Sequence, residues 1–124
     1  MSLCLAAGAA SAVLAIDAFT LSWIHSIEKV RWEEDWRVAA GALVIDEARI
    51  RGSGAGMEPP AGATLKNGVW HYRPSLPPHA VLRLTHSPHA AGYTLCTATV
   101  CNPLADLLPG IDNSAVIEIR ECAP

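Results

Sequence analysis

His25 and Ser26 stand side by side in WIHSIEKVRWEEDW, residues 23–36, with Glu28 next along the chain and Glu33 and Glu34 close behind. Together with Glu58 they have the side-chain types that acid–base or nucleophilic chemistry uses. A serine nucleophile needs its histidine base within hydrogen-bond reach. Neighbours on one strand point to opposite faces, so on extended chain His25 and Ser26 cannot serve each other. Ser53 lies in GSGAG, which departs by one position from the G-x-S-x-G elbow, and no strand–turn–helix pattern surrounds it. Both observations argue against a serine hydrolase. The enzymatic alternative is acid–base chemistry by His25 with Glu28 or Glu58, which requires these groups to converge in one pocket.

Metal and anion chemistry are weighed in the same way. His86 and His89 in HSPH are separated by Ser-Pro, which has turn geometry rather than that of one helix face. They read as a solvated loop, and no metal site or cofactor is expected. RGSGAGMEPPAG, residues 51–62, is a loop by its glycines and prolines. Successive glycines let backbone N–H groups converge into an anion-binding nest, or they serve only to allow positive φ in a tight bend. The stretch lacks the G-K-[ST] ending and following helix of a phosphate-binding loop. On the nest reading, Gly52, Ser53, Gly54 and Gly56 hold a small carboxylate, with charge from Lys29 and Arg31. The tryptophans Trp23, Trp32, Trp36 and Trp70 read as core residues. Trp32 or Trp36, if exposed beside Met57, would instead anchor a partner. The candidate ligand- or partner-binding surface therefore comprises His25, Ser26, Glu28, Lys29, Trp32 and Glu34, with Gly52, Ser53, Gly54, Gly56, Met57 and Glu58.

The elements that position these residues follow from periodicity. From Ala18, Phe19, Leu21, Trp23, His25 and Ile27 fall on one face and Thr20, Ser22, Ile24 and Ser26 on the other, the period of a strand. A second alternation sets Trp32, Trp36 and Val38 against Glu33, Asp35 and Arg37, with Glu34 interrupting the apolar face between the two tryptophans. A helix would pair Trp32 with Trp36 and Glu33 with Arg37. It would also scatter apolar residues around most of its circumference, so strands are the better reading. Glu33, Asp35 and Glu47 then form a solvated sheet face, with Arg37 and Arg49 placed to pair across strands.

After a turn at Gly41, ALVIDEARI continues as a third strand, and Asn67-Gly68 in ATLKNGVWHY marks a type I′ hairpin. AVLRLTH, GYTLCT and AVIEIREC read as further strands, and LADLL, residues 104–108, as one helical turn. The fold class is all-β: a single domain over residues 1–124, an antiparallel sandwich or barrel of roughly eight to nine short strands.

Composition narrows the function. Charged residues make up 17% of the chain and hydrophobic ones 51%, which excludes disorder. A net charge of -3 with no basic cluster leaves no footprint for nucleic acid. The apolar start LCLAAGAASAVLAI falls short of the ~20 residues a spanning helix needs, and no basic residue precedes it. It reads as one or two buried strands; the alternative is the tail of a signal peptide whose front was cut away. The 4 cysteines match no zinc spacing. Cys96 and Cys101 flank TATV as if across a tight hairpin, and Cys4 and Cys122 lie near the two termini, where first and last strands often pair. Pairing 96–101 with 4–122 is favoured over free buried thiols. Two bridges imply an oxidising compartment, the longer one being worth about 4 kcal/mol by loop closure.

The segments LSWIHSIEKVRWEEDWRV and EARIRGSGAGMEPPAGA resemble the domain-of-unknown-function 1850 family, from about Cys4 to Cys122. No activity is assigned to that family. The resemblance implies a setting beside TAXI-type TRAP transporters, which pair an extracytoplasmic solute-binding protein with a membrane permease. The expectation is a non-enzymatic extracytoplasmic accessory, periplasmic or membrane-associated, that contacts the permease, the solute-binding protein or a small anion. A purely structural domain is the third reading.

Overall fold

The computed structural model describes residues 1–24, 30–51, 61–85, 92–112 and 115–122. Among the described residues the period-two segments are extended and form two antiparallel sheets. The 4-stranded sheet has the order β2 (Ala10–Leu14), β1 (Leu3–Ala7), β11 (Val116–Glu121), β8 (Leu82–Thr85). The 7-stranded sheet runs β10 (Cys101–Pro103), β9 (Thr94–Cys96), β3 (Ala18–Ile24), β4 (Arg31–Ala39), β5 (Ala42–Arg51), β7 (Val69–Tyr72), β6 (Thr64–Lys66). The sheets pack as a sandwich and do not close into a barrel. The one helix among the described residues, α1 (Leu104–Leu107), is the expected turn at LADLL. The apolar start supplies both β1 and β2, as its reading as strands requires.

Pairing of β3 with β4 sets Phe19 opposite Trp36, Leu21 opposite Glu34 and Trp23 opposite Trp32. The tryptophan-rich segment is therefore extended from Arg31 to Ala39, and the helical alternative is excluded. β5 keeps its apolar residues inward by an irregularity. Trp36 faces Ile45 while Asp35 faces Glu47, so Asp46 is the extra residue of a bulge. Leu43 and Ile45 before it and Ala48 and Ile50 after it are all buried, although the parity of their numbers changes.

Two tight turns hold the meander. Asn67 and Gly68 have φ of 52° and 77° between β6 and β7, the positive pair that a type I′ turn needs. Ala40 and Gly41 repeat this between β4 and β5 with φ of 51° and 82°, which places an alanine in the left-handed region.

The core lies between the sheets. Leu3, Leu5, Ile117, Ile119 and Leu82 from the smaller sheet meet Phe19, Leu21, Trp36, Val38, Leu43, Ile45, Ala48 and Leu95 from the larger, with Leu104 and Leu108 closing one side. Each such Leu or Ile contributes roughly 1.5–3 kcal/mol by leaving water. Both expected disulfides are present. Cys96 and Cys101 face each other across β9 and β10 with Cα atoms 4.0 Å apart. Cys4 joins Cys122 where β1 meets β11, and Cys122 N–H donates to the Ser2 carbonyl at 2.9 Å.

Candidate functional site

The larger sheet has two faces of opposite character, and the alternation of β4 sends one acid to each. Glu33 and Asp35 point outward; Glu34 points inward, toward the space between the sheets.

On the outer face Arg49 is the hub. Its Nη2 donates to Asp35 Oδ1 at 2.7 Å and its Nη1 to Asp35 Oδ2 at 2.7 Å, a two-pronged pairing. It also reaches Glu47 Oε2 at 2.6 Å and Glu33 Oε1 at 3.3 Å. Thr20 Oγ1 donates to Asp35 Oδ1 at 2.7 Å, Arg51 Nε to Glu33 Oε1 at 2.7 Å, and His71 Nδ1 lies 3.1 Å from Glu47 Oε1. The hydrogen bond from Arg49 holds the Asp35 carboxyl below its ordinary range, against the opposing effect of burial. Hydrogen bonding to Asp35 in turn raises the Arg49 guanidinium, keeping it charged. Arg37 pairs with Asp46 at 2.9 Å. The charged face expected from the alternation is present, with Arg49 paired as expected and Arg37 paired with Asp46 instead of with Glu33, Asp35 or Glu47. These hydrogen bonds and ion pairs cross-brace β3, β4, β5 and β7.

The inner face is different. Successive rows across the sheet set Trp23, Trp32, Ile50, Trp70 and Leu65 in one line and Leu21, Glu34, Ala48 and Tyr72 in the next. Phe19, Trp36 and Ile45 form the third row and belong to the core. The first row does not: Ile50 is buried, yet it stands outside the core cluster, and Trp23, Trp32 and Trp70 are only half-buried. Trp36 alone of the tryptophans is fully buried, which corrects the expectation that all of them fill the core. The smaller sheet has too few strands to cover the whole inner face.

Glu34 sits where the core gives way to this aromatic row. Its cross-strand neighbours, Leu21 and Ala48, are each 1% exposed, and its neighbours along the strand face are Trp32 and Trp36. Trp36 Nε1 donates to Glu34 Oε1 at 3.1 Å. Trp23 stacks on Trp32 with centroids 6.3 Å apart and meets Tyr93 at 5.4 Å with a 53° tilt. The His79 ring meets the Trp36 indole edge-on at 5.5 Å, and its Nδ1 is buried with no hydrogen-bond partner among the described residues. Desolvation raises the Glu34 carboxyl above its ordinary range, only partly offset by the Trp36 hydrogen bond and the His79 charge. Tyr72 and Tyr93 are raised as well, first by burial and then by the negative charge of Glu34. Such an arrangement can hold a positive group against the carboxylate or present a protonated acid as a donor.

Of the residues singled out in the sequence, Trp32 and Glu34 come together here. His25, Ser26, Glu28, Lys29, Gly52, Ser53, Gly54, Gly56, Met57 and Glu58 lie outside the described residues, as do His86 and His89. Arg31, assigned to the anion nest, donates through Nη1 to Ser22 Oγ at 2.7 Å on the outer face. Tyr72, Tyr93, Ala48 and His79 are not among the candidate site residues that the sequence points to. Tyr72 carries a signal, because period two after the Asn67-Gly68 turn aligns Trp70 with Tyr72. Tyr93 and His79 carry none, for each reaches the site from an irregular connection. Among the described residues no group of three or more His, Cys, Asp or Glu is placed to hold a metal ion. Nor is any described helix long and apolar enough to cross a membrane.

Residues 19–104 match a family model described as Domain of unknown function (DUF1850). The match takes in nearly the whole larger sheet and the Glu34 row, while β1, β2 and β11 fall outside it. No curated protein and no solved structure matches the chain. With more than half of its residues matched, and the quoted tryptophan-rich segment among them, the chain belongs to the DUF1850 family.

Proposed function

We propose that this protein is an extracytoplasmic binding domain that serves as an accessory of a TAXI-type TRAP solute transport system and does not turn over a substrate. The observation that carries the binding role is the inner face of the larger sheet. There a half-buried carboxylate stands among half-buried aromatic side chains, at the margin of the core. Half-buried aromatics beside one polar anchor are the composition of a recognition surface rather than of a core. The two disulfides are compatible with an oxidising setting outside the cytoplasm, and the resemblance noted above supplies the transporter. The partner on this reading is the permease or the solute-binding protein. The small-anion alternative rests on residues 52–58, and acid–base chemistry by His25 with Glu28 or Glu58 rests on residues of the same undescribed segments.

The test is recovery of partners from the native host. Tagged protein, crosslinked in intact cells, is expected to bring down the permease or the solute-binding protein, and Trp32→Ala to reduce that yield. Recovery of neither subunit from periplasm and membrane fractions overturns the accessory role.

A further inference from the structure

We infer that the aromatic surface around Glu34 binds a small organic cation, an alkylammonium or quaternary ammonium group, held against the Glu34 carboxylate by the rings of Trp23 and Tyr93. The inference deepens the binding role proposed above and rests on it for the claim that the inner face is a recognition surface.

The charge argument comes first. Among the described strand residues of the larger sheet, Glu34 is the one charged side chain on the inner face; the others sit on the outer face or at its rim. None of the ion pairs among the described residues uses it. The His79 charge and the Trp36 hydrogen bond only partly offset the desolvation of this carboxylate, so its proton affinity is raised and its charge is incompletely balanced. A bound cation supplies that counter-charge, whereas an anion meets repulsion.

The surroundings then select the kind of cation. A compact hydrated ion such as sodium or calcium takes several oxygen ligands, and here one carboxylate is flanked by Leu21, Ala48 and indole rings. Aromatic faces attract positive charge through the ring quadrupole, and they suit alkylated ammonium groups that are weakly hydrated. Trp23 meets Tyr93 at 5.4 Å and 53° and stacks on Trp32 at 6.3 Å, so three half-buried rings cluster beside the Glu34 row. Tyr72 lies in the same row as Glu34, across Ala48. Alanine there leaves the carboxylate without a bulky neighbour on the β5 side. Trp36, by donating to Oε1, fixes the carboxylate in place.

The experiment titrates the full chain, disulfides intact, with tetramethylammonium and benzyltrimethylammonium chloride. Tryptophan fluorescence and calorimetry are read at constant ionic strength, with potassium chloride and sodium acetate as controls. The expected result is a saturable response to the ammonium salts alone. Glu34→Gln weakens it at least about tenfold, and Tyr93→Phe retains it while Tyr93→Ala does not. A melting curve for each variant separates loss of binding from loss of fold. No saturable response to either ammonium salt, or a response that Glu34→Gln leaves unchanged, overturns the inference. Recovery of a transporter subunit together with no ammonium binding means that the ligand class is wrong and the accessory role right. Ammonium binding without such recovery has the opposite meaning.

Discussion

Glu34 and Asp35 are adjacent in the chain and opposite in behaviour, because one peptide step on a strand carries a side chain from the outer face to the inner one. Asp35 is held below its ordinary value of 3.8 by Arg49, and Glu34 is raised above 4.5 by desolvation. For Asp35 the ionised form is favoured by folding, so its stabilisation is present above the ordinary value and lost as pH falls through the folded one. Asp35→Asn is expected to cost about 1 kcal/mol at neutral pH, since the pair is partly solvated. Urea titrations should show that deficit vanish on acidification. For Glu34 the sign is reversed. The folded state binds the proton more tightly, so stability declines as pH rises from the ordinary value through the raised one. Glu34→Gln is therefore expected to melt above the parent protein at pH 7, with the gap closing toward pH 4. A lower melting temperature for Glu34→Gln at both pH values would refute this account of the carboxylate. Glu34 was visible in the sequence as the break in an apolar face. Its raised proton affinity was not, because that depends on Leu21 and Ala48 being brought alongside by β3 and β5.

At the scale of elements, alternation in β3 and β4 was legible because each strand keeps one parity from end to end. β5 was less so: Leu43 and Ile45 are odd, Ala48 and Ile50 even, and only a bulge reconciles them. The bulge makes a sharp prediction. Deleting Asp46 leaves all of these residues inward and should preserve the fold. Deleting Ala48 would carry Arg49 inward and Ile50 outward, and should abolish folding; circular dichroism and thiol accessibility distinguish the two. The turn at Ala40-Gly41 is a second place where residue type and conformation conflict. Ala40 has a φ of 51°, which costs an alanine about 1–2 kcal/mol and a glycine almost nothing. Ala40→Gly or Ala40→Asn should stabilise by roughly 0.5–1 kcal/mol in thermal melts. The Asn67-Gly68 turn was readable from its dipeptide alone. Among the three-residue strands, β6 was readable from the same hairpin and β9 from GYTLCT, whereas β10 contains barely one alternation and was marked only by the cysteines of its hairpin.

For the whole molecule, the sandwich of unequal sheets explains why the aromatic row is half-covered: a 4-stranded sheet faces a 7-stranded one. The class was legible in the density of strand and turn signals. Which strands share a sheet was not, since β1 and β11 pair across a sequence separation that periodicity does not report. The cysteines marked that pairing. Cys4 and Cys122 are 118 residues apart, whereas Cys96 and Cys101 are 5 apart. Loop-closure entropy makes the long bridge worth about 4 kcal/mol or more and the short one about 2. The double variant Cys4→Ser with Cys122→Ser should lose correspondingly more denaturant resistance than Cys96→Ser with Cys101→Ser. The long bridge has a further effect on how the protein ages. A protease that clips an exposed connection anywhere between those two cysteines severs the peptide without parting the pieces, so a nicked molecule still migrates as one species on a gel until a reductant is added.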